Sequence, residues 1–315
     1  QLPTLNAANA PVTLTEVNLT LTATGNLSRA YNGTTNMTIA AGNYTISGLL
    51  SGDSLTVANL NAAQYNNAHV ASANQVTASN LTISGITSSS LGSLASDYNL
   101  QTSSLVWGTG GQSGTYANIT AAPITLTATG SLSRVYDGTT SRSLSASNYS
   151  VSGLLAGDSA TLGNLSSGIY NSAHVVGANK VTASGITLTG VTGNRSSALS
   201  DYALQTSSLV WGSGGQIGTT ASITPVTLTV TGSVVTSKVY DGTTATTMTN
   251  GTLVGTLAGD VLAITQVGNF SSANVGNNLV VTANESIAVT SSNRSSVASD
   301  YSLTQPTSLT GNITK

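Results

Sequence analysis

Arg29-Ala30-Tyr31-Asn32-Gly33-Thr34-Thr35 returns as Arg134-Val135-Tyr136-Asp137-Gly138-Thr139-Thr140, and again as Lys238-Val239-Tyr240-Asp241-Gly242-Thr243-Thr244. The three tyrosines stand 105 and 104 residues apart. Similarity at one long period marks tandem structural units. Other landmarks keep nearly the same step: Gly52-Asp53, Gly157-Asp158 and Gly259-Asp260, then Asp97-Tyr98, Asp201-Tyr202 and Asp300-Tyr301, followed by Leu100, Leu204 and Leu303. The chain therefore divides into an N-terminal extension (1–16) and three modules, 17–122, 123–224 and 225–315.

Inside each module the hydrophobic period is two. Ile124-Thr125-Leu126-Thr127-Ala128-Thr129 alternates apolar with polar, as does Val226-Thr227-Leu228-Thr229-Val230. Threonine is β-branched and suits the outward face of a strand, so these segments are half-buried strands. Gly, Asn, Asp and Ser interrupt them about every 8–12 residues, the spacing of a sandwich or small barrel. Nothing shows helical periodicity. Asn118-Ile119-Thr120 runs almost directly into Pro123, and Ser222-Ile223-Thr224 directly into Pro225. Proline fixes φ at each junction, which leaves no flexible linker. The expectation is all-β: three antiparallel β-sandwich modules in a rod, with one extra N-terminal strand.

Composition narrows the function. Ser and Thr make up 97 of 315 residues, while only 6% are charged against about 25% in ordinary soluble proteins. Eight Lys and Arg against ten Asp and Glu cannot supply the cationic field that nucleic acids require. Zero cysteines remove disulfides, thiolate metal sites and thiol nucleophiles. No apolar run is long enough for a membrane-spanning helix. Gln1 is not an initiator methionine, and low charge is unusual in cytosolic chains; the expectation is an exported, trimmed protein.

The order basic-x-Tyr-Asp-Gly-Thr, Gly-Asp, Asn-Val-Gly, Tyr-x-Leu resembles the tandem bacterial repeats named for their Tyr-Asp-Gly motif. Module three matches throughout, with Lys238, Tyr240, Asp241, Gly242, Gly259, Asp260, Asn274, Val275, Gly276, Tyr301 and Leu303. Module two has His174-Val175 at the Asn-Val position; module one has His69-Val70 there, and Asn32 for the aspartate. The resemblance implies immunoglobulin-like sandwiches in large secreted surface adhesins and fibres, where such repeats act as stalk modules. It implies no catalytic residue.

The candidate sites favour structural roles. Tyr31, Gly33, Tyr136, Asp137, Gly138, Tyr240, Asp241 and Gly242 recur in place and belong to the repeat itself. Asp53, Asp158 and Asp260 follow glycine, where a short carboxylate can cap its own turn. Arg29, Arg134 and Lys238 lie three residues before Asn32, Asp137 and Asp241, spacing that suits a pair across the turn. The two histidines, His69 and His174, sit a module apart and cannot share a metal, so a turn or strand-edge role is expected. Acid–base chemistry needs one special cleft, and copies in every module are not that. No cofactor, metal site or catalytic residue is expected. Trp107 and Trp211, in Leu-Val-Trp-Gly segments, read as strand ends; packing against a neighbouring module is one role for them, and stacking on a host or matrix glycan is the other.

The two ends differ from the repeat. Ala10-Pro11-Val12-Thr13-Leu14-Thr15 resembles Ala122 to Thr127, so Val12 and Leu14 read as a spare strand. Tyr98 to Ile119 and Tyr202 to Ile223 each span 21 residues, but Tyr301 to Ile313 spans 12. Module three lacks the Trp-containing hairpin and is expected to expose an edge. Strand donation into it from another copy would give a head-to-tail filament; the alternative is one piece of a longer surface protein, flanked by further modules. Both readings lead to a secreted or cell-surface structural subunit, with a glycan-binding adhesin module as the competing class.

Overall fold

The computed structural model describes residues 13–89 and 92–315. Among these there is no α-helix; the elements are strands, with six short 3₁₀ turns between some of them. The chain forms two compact units whose division passes through the middle module: Gln1–Ile124 with Gly153–Thr161 and Leu188–Leu204, and Thr125–Ser152 with Leu162–Thr187 and Gln205–Lys315.

In the first unit, Val17–Ala23 lies between Tyr44–Ser47, antiparallel, and Tyr98–Leu100, parallel. Its alternation sends Leu19, Leu21 and Ala23 inward. Ser104–Gly108, Gln75–Ser79, Ala63–Tyr65 and Asn36–Met37 form an antiparallel four-stranded sheet. Tyr116–Thr120 runs parallel to Asn26–Ala30. Asp53–Ala58 and Thr82–Ser88 make a separate two-stranded antiparallel sheet, bulged between Thr56 and Val57. In the same unit Ala122, Pro123 and Ile124 pair parallel with Tyr202–Leu204.

The second unit repeats the pattern. Thr125 to Ala128 pair antiparallel with Tyr149–Ser152, and Ser131–Val135 runs parallel to Thr220–Thr224. Ser141–Ser143, Ser167–Tyr170, Lys180–Ser184 and Ser208–Gly212 form the four-stranded sheet. In the last module Val226–Thr231 is flanked by Thr252–Val254, antiparallel, and Tyr301–Thr304, parallel.

The parallel pairs correct the expectation of purely antiparallel sheets. Period-two alternation shows which face a residue takes, not the direction of its neighbour. The long connection from Leu19 to Tyr98 readily supplies the crossover that a parallel pair needs.

The shortened end of module three is also corrected. Leu309–Thr314 pairs antiparallel with Gly276–Ala283 and parallel with Lys238–Val239. One strand thus takes both pairings that Ser104–Gly108 and Tyr116–Thr120 share in module one. It closes the edge and buries Ile313 with Phe270 and Val281. Of the spare strand, Val12 lies outside the described residues; Leu14 is 91% exposed and outside any strand.

Candidate functional site

The repeated motif builds a turn that presents a tyrosine. Asp137 Oδ1 accepts from Thr139 N at 2.8 Å and from the Thr139 hydroxyl at 2.8 Å, an Asx turn. Asn32 does the same for Thr34, and Asp241 for Thr243. Gly138 takes φ 81° inside this turn, the left-handed region where a side chain is strained. The expected pairs across the turn are present: Arg134 with Asp137, Lys238 with Asp241 at 2.8 Å, and Arg29 Nη1 with Asn32 Oδ1 at 2.6 Å. The bond from Lys238 and those from Thr243 pull the Asp241 carboxyl down to about 2.

The turn hands its tyrosine to the next module. Within the first unit, Tyr31 is 3% exposed, and its hydroxyl lies 2.8 Å from Ser197 Oγ. Ser197 donates to Asp158 Oδ2 at 2.6 Å, and Tyr202 donates to the same oxygen at 2.6 Å. Beside them His69 Nδ1 lies 2.7 Å from Asp201 Oδ2, and Val70 N donates to Asp201 Oδ1 at 2.8 Å. The His69 ring stacks on Tyr31 at 6.1 Å, and Tyr202 meets Tyr31 edge-on at 5.4 Å. Asp201 is fully buried, with Ala198 N as a further donor.

The second unit carries the same cluster between modules two and three. Tyr136 is 2% exposed and reaches Ser296 Oγ at 2.9 Å; Ser296 donates to Asp260 Oδ2 at 2.6 Å, and Tyr301 donates to it as well. His174 Nδ1 lies 2.8 Å from Asp300 Oδ2, and Val175 N donates to Asp300 Oδ1 at 2.9 Å. A Cβ on Gly138 would sit 2.5 Å from Arg294 Cδ, and one on Gly33 2.7 Å from Arg195 Cδ. Glycine therefore serves twice: it makes the turn and admits an arginine stem from the next module.

Burial alone would raise the Asp158 and Asp260 carboxyls. The serine and tyrosine hydroxyl bonds and the nearby Arg195 and Arg294 charges outweigh it, so both titrate below the ordinary carboxylate value. The same burial and bonds push Tyr202 and Tyr301 up to about 12.

Several expectations change here. Asp53, Asp158 and Asp260 do not cap their own turns; each accepts from a tyrosine hydroxyl, Tyr98, Tyr202 or Tyr301. A carboxylate near a buried phenol gains more from that charge-assisted bond than from a solvated backbone N–H. Trp107 and Trp211 are fully buried, and their indole N–H groups donate to the carbonyls of Thr24 and Asn43, and of Thr129 and Asn148. They pack within their own modules, so neither face is open to a sugar or to a neighbouring module. Both histidines sit in turns but act as junction residues, each held by the following module's aspartate.

Serine, histidine and aspartate meet at each junction without the connectivity of a nucleophile. The Ser197 hydroxyl is engaged by Tyr31 and Asp158, not by His69, and a triad needs the nucleophile bonded to its base. Among the described residues no three His, Asp or Glu side chains gather as metal ligands. The larger clefts are open: about 480 Å³ beside Lys238, Thr246 and Asn269, and about 690 Å³ beside Arg29, Asn36 and Gln64. Neither is lined by a carboxylate or an imidazole.

Asp201, Asp300, Ser197 and Ser296 carry no motif of their own that marks them as site residues in the sequence. The available signal was numerical: histidine occurs in two of three modules, as many as there are junctions. In the family comparison, the YDG domain matches residues 15–105, 120–208 and 224–308. No match was found among curated proteins or solved structures.

Proposed function

The chain belongs to the YDG domain family, in three tandem copies, and on that footing we propose that it is a non-enzymatic structural subunit of an extracellular bacterial surface fibre or adhesin stalk. Its modules are read as immunoglobulin-like sandwiches whose task is to hold a fixed spacing. One observation carries this reading: the polar groups best suited to chemistry, the Tyr–Ser–Asp and His–Asp sets, occur twice and are spent on joining successive modules.

The surface supports the same view. With 6% charged residues and 97 serines and threonines, it carries little charge with which to recognise a strongly charged partner. Glycan binding is the competing class, and it loses its strongest candidates with the burial of Trp107 and Trp211.

The test is display and reach. Antibody against the intact chain should label unpermeabilised producing cells. An in-frame deletion of module two should keep the label while drawing it closer to the envelope in electron micrographs. Label confined to permeabilised cells, or a deletion that leaves the distance unchanged, would refute the proposal. A glycan array probed with the same protein should stay blank.

A further inference from the structure

The two junctions have a donor side and an acceptor side, and the chain carries one more of each. On the donor side, Tyr240 N donates to Thr314 O at 2.9 Å, as Tyr31 N does to Thr120 O and Tyr136 N to Thr224 O. Its turn is built like the others, with Gly242 at φ 76°. Yet Tyr240 is 53% exposed, against 3% and 2% for its counterparts. A Cβ on Gly242 would meet nothing within 4 Å, where Gly33 and Gly138 meet arginine. Asn274 takes the histidine position: its N–H donates to Ser272 Oγ at 3.1 Å, as His174 N does to Ser172 Oγ. Val275 beside it is 46% exposed.

The acceptor side recurs in module one. Tyr98 donates to Asp53 Oδ2 at 2.5 Å, as Tyr202 does to Asp158 Oδ2, and Ser93 stands five residues before that tyrosine, the place of Ser197 and Ser296. Leu94 N donates to Asp97 Oδ2 at 2.8 Å, as Ala198 N does to Asp201 and Val297 N to Asp300. Asp97 is exposed, whereas Asp201 and Asp300 are fully buried. Both halves of the junction are thus preformed.

We propose that the Tyr240 face of one copy docks on the Asp97 face of a second copy, as a third instance of the junction: Tyr240 against Ser93, with Asn274 and the Val275 N–H on the Asp97 carboxylate. The contact joins different faces, so it repeats as an open head-to-tail series. It requires no strand donation from residues 1–15. It is weaker than the internal junctions for two reasons. Asn274 supplies a donor but no ring to stack on tyrosine, and residues 89–91 are Ser-Ser-Leu, without the arginine found at 195 and 294. The inference goes beyond the stalk reading, which needs only the two internal junctions; its failure would leave surface display untouched.

Analytical ultracentrifugation of the whole chain over a wide concentration range tests it. The wild type should grow with concentration into a ladder of multiples. Tyr240→Ala and Asp97→Ala, both at exposed positions and checked for unchanged circular dichroism, should each weaken association at least about tenfold, the effect of losing about 1.4 kcal/mol at an interface anchor. Mixed one to one, the two variants retain one good face each, and should form dimers and nothing larger. Deleting residues 1–15 should change nothing. A wild type that stays monomeric throughout would overturn the inference. So would variants that associate like the wild type, or association lost with residues 1–15.

Discussion

Replacing Glu285 with leucine should stabilise module three by about 2 kcal/mol at neutral pH. Glu285 immediately precedes the strand Ser286–Ser292; the same place in the other modules holds Leu81, before Thr82–Ser88, and Ile186, before Thr187–Gly193. All three are buried, at 5%, 4% and 3% exposure. The carboxylate receives one long bond, from Ser233 at 3.3 Å, and its Oε2 has no hydrogen-bond partner. An unsatisfied buried polar atom costs about 1–3 kcal/mol, and a buried leucine side chain gains about 1.5–3 kcal/mol. Losing the Ser233 bond and imperfect repacking take back part of that sum. Burial raises the Glu285 pKa, with Ser233 opposing only weakly. The sign follows: its contribution is most favourable below the unfolded value of about 4.3 and declines as pH rises through the native one. The leucine advantage should therefore be larger at pH 7 than at pH 4. Hydrogen exchange of the amides in Gly276–Ala283 and Ser286–Ser292 gives the local free energy without assuming one transition for the whole chain. Equal or faster exchange in the leucine variant at pH 7, or a gap that does not shrink toward pH 4, would refute the reasoning.

Three further outcomes follow from the junctions. Asp300→Ala strips His174 and the N–H groups of Val175 and Val297 of their acceptor and should cost about 3 kcal/mol, read as faster hydrogen exchange at residues 171–175 and 296–300 with residues 13–89 unaffected. Gly138→Ala and Gly242→Ala share the backbone strain of a positive φ, about 1 kcal/mol, but only the first collides with an arginine; in dilute solution, thermal scanning should show it to be the more damaging. Stability should fall at both extremes of pH. The Asp260 contribution is complete above about pH 4 and is lost as pH falls through its lowered native pKa. The Tyr301 contribution is complete below about pH 10 and is lost as pH rises toward about 12. Circular dichroism against pH checks both limbs, and Tyr301→Phe should remove part of the alkaline one, leaving the share of Tyr202, which is raised to the same extent.

The strands were legible because threonine and the aliphatics alternate cleanly: Leu19, Leu21, Ile124, Leu126, Leu228 and Val230 are core residues on the phase the sequence gives them. Pairing direction was not legible. Val17 to Leu19 would alternate identically beside an antiparallel neighbour, and nothing local records that Tyr98–Leu100 returns in the same sense. The end of module three misled for a related reason. A missing hairpin suggests a missing strand unless one strand can take two partners. Module three manages this through two extra residues between Gly232 and Tyr240, eight apart where Gly25 and Tyr31 are six apart. With them the segment forms two short strands, Val234–Val235 on Ala245–Thr249 and Lys238–Val239 on Leu309–Thr314.

The junction was half legible, and the missing half shows how tandem repeats should be read. A residue copied into every module, such as Tyr31, Tyr136 and Tyr240, looks structural, and its copies look equivalent. Physically they are not: two are sealed against a serine of the next module, and the third is 53% exposed with the same turn beneath it. The difference lies in the neighbour, so a motif within one module cannot reveal it. What can reveal it is a residue that follows the number of junctions instead of the number of modules. Histidine does so here, present at 69 and 174 and replaced by asparagine at 274. An imidazole offers a ring nitrogen to a buried carboxylate and a flat ring to a tyrosine. Asparagine keeps the donor and gives up the stacking. Under the proposed docking between copies, the substitution fits a face that meets solvent before it meets its partner. On this argument Asn274→His should strengthen association between copies, because it installs the ring that the two internal junctions already use, and ultracentrifugation showing no gain would count against it.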